Sequence, residues 1–283
     1  MAAVELTDAG KRYNGRAGVV DALGQVSLSI AEGEFVSLLG SSGCGKSTLL
    51  RVAAGLLPLD RGTARVLGRS PDQARQAKQV AFVPQTPALL PWRTVRANAR
   101  LLTRVNRRGE AARSLPDDEI DALLAEVGLA DVADAHPHEL SGGMQQRVAL
   151  VRAFALGAPL VLMDEPFAAL DEILRVEMRY LLLRLWEEHR STVVFVTHSI
   201  GEAVALSDRV AVMAARPGRI AGVETITLPR PRTPDDEDTD AFTDHVRRLR
   251  HLLANGNANG PSGATSTSTS TSRSAPRRLE RYR

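Results

Sequence analysis

Cysteine is nearly absent from this 283-residue chain: Cys44 stands alone, which excludes any intramolecular disulfide. Long hydrophobic runs are missing as well, since no stretch reaches the roughly 18 apolar residues that a membrane-spanning helix needs. The N-terminus, MAAVELTDAG, has neither a basic n-region nor an apolar h-region, so the chain is expected to remain in the cytoplasm. Lysine is scarce. Lys11, Lys46 and Lys78 are the only ones, and every other side-chain cation of fixed charge is arginine, which lifts the pI to 9.4 although the formal net charge is only +3. Basic and acidic residues alternate along most of the length, which argues against nucleic acid as a partner. No heptad run is present either, which excludes a long coiled coil. What remains is a 43% hydrophobic composition, ordinary for a packed α/β core of one large domain or two small ones.

Strand signals are clear in five places. Residues 26–39, VSLSIAEGEFVSLL, read as an alternating strand, a Glu-Gly turn and a continuous apolar strand. Further apolar runs are VAFVP (80–84), LVLMD (160–164), TVVFVTH (192–198) and RVAVMAA (209–215), separated by helical stretches. This predicts a mostly parallel sheet covered on both faces. From Gln85 to about Gly157 the strand signal disappears, and DDEIDALLAEVGLADV is the clearest amphipathic helix, so an inserted helical subdomain is expected at about 86–156. After Leu228 the texture changes through PRPRTP to one predicted helix, with Phe242, Val246, Leu249 and Leu253 on one face. Residues 255–275, NGNANGPSGATSTSTSTSRSA, cannot build a core and are expected to be disordered.

Two glycine-serine loops look built to hold phosphate. GSSGCGKST (40–48) fits G-x-x-x-x-G-K-[ST], in which backbone N–H groups of Gly40, Ser41, Ser42, Gly43, Cys44, Gly45 and Thr48 surround the anion, Lys46 reaches the β and γ groups, and Ser47 ligates magnesium. An apolar strand before the loop and a helix after it disfavour a bare turn. That arginine-rich sequence keeps a compact ammonium at Lys46, which supports the same reading. LVLMDE ends a strand in adjacent carboxylates: Asp164 to hold the metal, Glu165 to orient or deprotonate a water attacking the γ-phosphate. His198 and Gln85 follow strands and should share the carboxyl edge of the sheet, where open α/β folds gather ligands. Cys44 reads as a space-filler rather than a nucleophile. His136 and His138 flank Pro137 without a third ligand nearby, which argues against a metal pair.

With GSSGCGKST, Gln85, LSGGM (140–144), LVLMDE, AALD (168–171) and His198 in that order, residues 3–228 resemble ATP-binding cassette ATPases. The resemblance implies a P-loop NTPase α/β fold with an N-terminal antiparallel β subdomain, spanning 1–230, followed by a C-terminal helix and tail over 231–283. It also implies a head-to-tail dimer in which Ser141, Gly142 and Gly143 of one protomer cap the nucleotide held by the other, with Asp171 communicating between them. Two phosphate loops in one chain then serve two different ATP molecules. Tyr13 of KRYNG matches the aromatic that stacks on adenine, although packing in a short N-terminal strand is the competing reading.

LLPWRTV (89–95), RPGRI (216–220), EPFAALD and DRV are similar to cassettes of the nitrate, sulfonate and taurine type of importer. That resemblance implies ATP and Mg2+ as ligands and a membrane permease docked in a groove near Gln85 and Trp92. A periplasmic or lipid-anchored solute-binding protein would act indirectly, and the chain would sit on the inner face of the cell membrane. Burial is the alternative for Trp92. A soluble ATPase acting on nucleic acid or ribosomes, and an exporter cassette, are the competing functions. Ala168, Val151 and Ser199 depart from the usual Gly, Ala and Asp of the family without removing a catalytic group.

Overall fold

The structure is a computed structural model that describes residues 1–15, 18–105, 114–215 and 217–258. Arg216 of the RPGRI stretch, part of the helical insertion and the Ser/Thr-rich tail lie outside the described residues.

A six-stranded sheet forms the centre, in the order β5-β6-β7-β3-β8-β9. These are β3 (Phe35–Gly40), β5 (Val80–Val83), β6 (Leu160–Asp164), β7 (Thr192–Thr197), β8 (Arg209–Ala214) and β9 (Arg219–Thr225). The first five in that order run parallel, and β9 adds an antiparallel edge. Strands buried on both faces must be apolar at every position, and β3, β6 and β7 are buried throughout. Alternation then distributes side chains between two cores. Val161, Met163, Val193 and Phe195 enter the core shared with the helical insertion, whereas Leu160, Leu162, Val194 and Val196 enter the opposite one.

The second sheet is three-stranded and antiparallel, order β2-β1-β4, built from β1 (Ala2–Gly15), β2 (Gly18–Ala31) and β4 (Arg61–Val66). The sequence pattern missed most of β1 and all of β4 and β9. Their burial is one-sided or partial, so their hydrophobic signal is diluted by polar outward positions.

Between β5 and β6 the described chain has an irregular segment, 84–94, followed by α3 (Val95–Ala99), α4 (Leu101–Val105), α5 (Asp117–Glu126) and α6 (Gly142–Ala155), with two short 3-10 turns. Helices α1 (Lys46–Ala53), α2 (Pro71–Gln76), α7 (Glu172–His189) and α8 (Ile200–Leu206) complete the connections. Among the described residues no helix is long and apolar enough to cross a membrane.

The C-terminal helix α9 (Asp240–Ala258) buries Phe242 and Leu249 beside Leu39, Val210 and Val212 of the main sheet. It overturns one expectation, since residues 255–258 are helical rather than disordered. Tertiary contact outweighs the weak local propensity of NGNA. The carbonyl of Gly256 accepts from Arg219 Nη2 at 2.9 Å, and a Cβ on Gly256 would lie 2.7 Å from Ala221 Cβ.

Candidate functional site

Parallel strands end together, and four of these ends deliver chemistry. The loop after β3 carries residues 41–45, β6 leads to Glu165, His198 follows β7, and Gln85 lies two residues beyond β5. Since β7 lies between β6 and β3, His198 emerges between the carboxylates and the glycine loop.

The glycine loop needs residues without Cβ. Gly43 and Gly45 hold φ of +78° and +97°, and a Cβ on Gly45 would meet Ala22 O at 2.7 Å. Gly45 starts α1 with no side-chain cap, and the first turn of α1 contains no acid. Its unpaired N–H groups and positive dipole end are therefore free for an anion.

Lys46 is 4% exposed, and its ammonium donates to the carbonyls of Gly40 at 2.8 Å and Ser41 at 3.1 Å. Ser47 Oγ donates to Asp164 Oδ1 at 2.7 Å, which joins the loop to the end of β6. Glu165 Oε1 lies 3.7 Å from Lys46 Nζ, and its Oε2 lies 3.0 Å from His198 Nδ1. The Glu165 backbone has φ +45°, an uncommon conformation for a residue with a side chain. Its N–H donates to Val196 O at 3.1 Å, which holds it there.

A cavity of about 430 Å³ opens over this cluster, lined by Val20, Asp21, Ala22, Ser42, Gly43, Gly45, Lys46, Ser47, Thr48, Gln85 and Glu165. The β2 wall, residues 20–22, was not foreseen in the sequence. Tyr13 lies opposite Val20 in the β1–β2 ladder and is 39% exposed, but it is not among the residues lining the cavity. Cys44 is buried beneath the loop, where burial pushes its thiol pKa up and keeps it protonated at neutral pH.

Ser141, Gly142 and Gly143 are not among the lining residues. Ser141 is exposed and caps α6 by accepting from Met144 N at 3.3 Å. Gly142 is open, whereas a Cβ on Gly143 would lie 2.3 Å from Leu174 Cδ2, so that side chain would have to move to admit one. Asp171 is exposed and caps α7 by accepting from Leu174 N at 3.0 Å. The ring centres of His136 and His138 are 5.9 Å apart, and among the described residues no group of three His, Cys, Asp or Glu is placed to hold a metal ion. Trp92 is 71% exposed, which overturns burial as its role.

A strand-loop-helix phosphate cradle, paired carboxylates on the adjacent edge and a histidine between them occur here in one site. Residues 23–168 match the family described as ABC transporter. The chain belongs to the ABC transporter family. Within that family it is an ATP-binding cassette, an ATPase. An aliphatic sulfonates import ATP-binding protein, SsuB 1, from Xanthomonas axonopodis pv. citri is 44% identical over 251 residues, covering 88% of this chain and 94% of its own. The protein of the same name from Pseudomonas fluorescens is 45% identical over 252 residues, covering 89% and 87%. Among solved structures, the dimeric post-hydrolysis state of the ATP-binding cassette MJ0796 bound to ADP and Pi matches with a TM-score of 0.69 and 32% identity, over 80% of this chain and 100% of that one.

Proposed function

We propose that this cassette hydrolyses ATP to energise an importer for a small solute such as a sulfonate, nitrate or taurine, bound peripherally to the inner face of the cell membrane. One observation carries the hydrolytic half of this reading: the Glu165 carboxylate reaches both Lys46 and His198 at the lip of the phosphate cradle. The importer half draws on the sulfonate-import names of the relatives and on exposed Trp92 in the segment after Gln85.

In this reading the γ-phosphate meets Lys46, whose ammonium leaves the Gly40 and Ser41 carbonyls for it. The backbone N–H groups of residues 40–48 hold the β-phosphate, and Tyr13 stacks on adenine. Glu165 accepts the proton of the attacking water, and His198 fixes that carboxylate and contacts the γ-phosphate. The Ser47 hydroxyl and the Asp164 carboxylate are hard oxygen donors already side by side, which suits Mg2+, with Gln85 across the cavity as a further ligand. A cation held there would supply positive charge to the γ-phosphate oxygens.

Ser141, Gly142 and Gly143 would serve the ATP of a second copy in a head-to-tail dimer, with Asp171 at the shared face; their position away from the lining of the Lys46 cavity supports this. Residues 1–230 would then be the cassette, with its helical subdomain at about 86–156. Permease subunits would dock near Gln85 and Trp92, the solute-binding protein would act only through them, and nucleic acid would play no part.

The test is to recover tagged Glu165→Gln from detergent-solubilised membranes of the native cell in the presence of ATP. A co-purifying polytopic permease is the expected result. Recovery from the soluble fraction with RNA or ribosomes would replace this reading by that of a soluble ATPase acting on them.

A further inference from the structure

The imidazole of His198 has little to hold it. Its side chain is 58% exposed, and among the described residues its hydrogen-bonding contact is with Glu165. Where the ring stands is therefore decided by the backbone turn beneath it. The residues on either side of His198 close a polar ring with Glu202 of α8. Thr197 Oγ1 accepts from Ser199 N at 2.9 Å and donates to Glu202 Oε2. Ser199 Oγ caps α8 by accepting from Glu202 N at 3.4 Å. The turn cannot open without breaking one of these bonds.

Thr197 is 2% and Glu202 5% exposed, so the bond between hydroxyl and carboxyl is made away from solvent. Glu202 is the one charged residue among the five buried positions of α8; the others are Ala203, Val204, Ala205 and Leu206. An acid at such a place costs stability that an apolar side chain would not. Its other oxygen faces α7. Glu202 Oε1 lies 3.7 Å from Arg175 Nε, and Arg175 Nη2 donates to Leu170 O at 2.8 Å. From Leu170 the chain returns to the site in two tight turns: Leu170 N donates to Phe167 O and Ala168 N to Glu165 O, each at 3.2 Å. Both members of the Glu165–His198 pair thus belong to one frame, His198 through the ring with Glu202 and Glu165 through the turns that end at Arg175.

We propose that Glu202 is a positioning residue of the hydrolytic site: by closing the turn around His198 and facing Arg175, it fixes the separation at which His198 meets Glu165. The inference rests on the reading of His198 as part of that site, so His198→Ala is measured alongside as its own control.

ATP turnover of the full chain is compared with ATP binding by equilibrium dialysis and with the folded fraction by circular dichroism. Glu202→Ala should lower kcat about 10- to 100-fold and leave ATP affinity within about twofold, because a misplaced group loses rate without losing the nucleotide. Glu202→Gln, which keeps an oxygen for Thr197, should recover most of that loss. In single turnover, Glu202→Ala added to His198→Ala should cost no more than about a further twofold, since no imidazole remains to be placed. A structural role alone would lower both backgrounds by the same factor. If Glu202→Ala does not fold, Thr197→Val carries the same expectations: it keeps shape and strand preference and removes the hydroxyl from the ring. Undiminished kcat in these variants, or an equal loss with and without His198, would overturn the proposal. Undiminished turnover in His198→Ala would instead overturn the reading of His198 on which it rests.

Discussion

His198 Nδ1 and Glu165 Oε2 lie 3.0 Å apart although 33 positions separate the two residues. The sheet brings them together. Strands β6 and β7 are parallel neighbours in which Asp164 pairs with Val196, so the chain leaves both strands at the same edge. The left-handed backbone of Glu165 turns its carboxylate towards the histidine on one side and towards Lys46 on the other.

This geometry gives Glu165 a function distinct from that of Lys46. Glu165→Gln keeps the shape and loses the base, so it should bind ATP normally, lower kcat by about 10²- to 10⁴-fold and accumulate as a dimer on a sizing column. Lys46→Ala removes the cation buried at the head of the loop, and turnover should be lost to a similar or greater extent together with the affinity for ATP. ATP hydrolysis that survives Lys46→Ala undiminished would refute the site assignment.

Ser141→Arg separates the two phosphate loops. Loss of the α6 cap costs about 1 kcal/mol, which a helix with ten buried residues tolerates. The variant should bind one ATP as a monomer with unchanged affinity and should fail to dimerise in a Glu165→Gln background. If titration instead showed that the monomer had lost its nucleotide, the assignment of Ser141 to the ATP of a partner would be wrong.

The parts of this site that rest on strong local signals were legible in the sequence. Five of the main-sheet strands are apolar runs, and the glycine loop, the Asp164–Glu165 pair and His198 all sit at their ends. Glu202 was not legible, because an acid in a helix acquires its meaning only from the groups it reaches, here Thr197 and Arg175. The helical end at Gly256 was missed for the same reason, since its cause is contact with Ala221 and Arg219 rather than propensity. Strands β1 and β4 escaped because their outward positions are polar.

Trp92→Ala tests the partner face. An indole that is 71% exposed contributes little to the fold, so the melting temperature should hold and the stability change should stay within about 0.5 kcal/mol. ATP hydrolysis by the isolated chain should also be unchanged. Recovery of the permease with the tagged protein should fall sharply, because exposed aromatics at interfaces carry a disproportionate share of binding energy. Equal recovery of the permease with wild type and Trp92→Ala would remove Trp92 from the docking surface.

The turn that carries His198 contains a second buried acid with a measurable pH signature. Glu202 of α8 is 5% exposed, accepts from Thr197 Oγ1 and lies 3.7 Å from Arg175 Nε. Burial pushes its carboxyl pKa above the ordinary value of 4.5, outweighing the lowering by the Thr197 hydrogen bond and the Arg175 charge. The folded state therefore keeps a proton that the unfolded chain releases, and stability must fall as pH rises from about 4.5 through the folded pKa. Each unit of elevation corresponds to about 1.4 kcal/mol. Glu202→Gln retains an oxygen for Thr197 and has no proton to lose. The stability difference between wild type and Glu202→Gln, followed by urea unfolding from pH 5 to pH 8, should shift in favour of the variant as pH rises. A difference that stays constant across this range would mean that Glu202 is ionised in the folded protein and that its pairing with Arg175 outweighs burial.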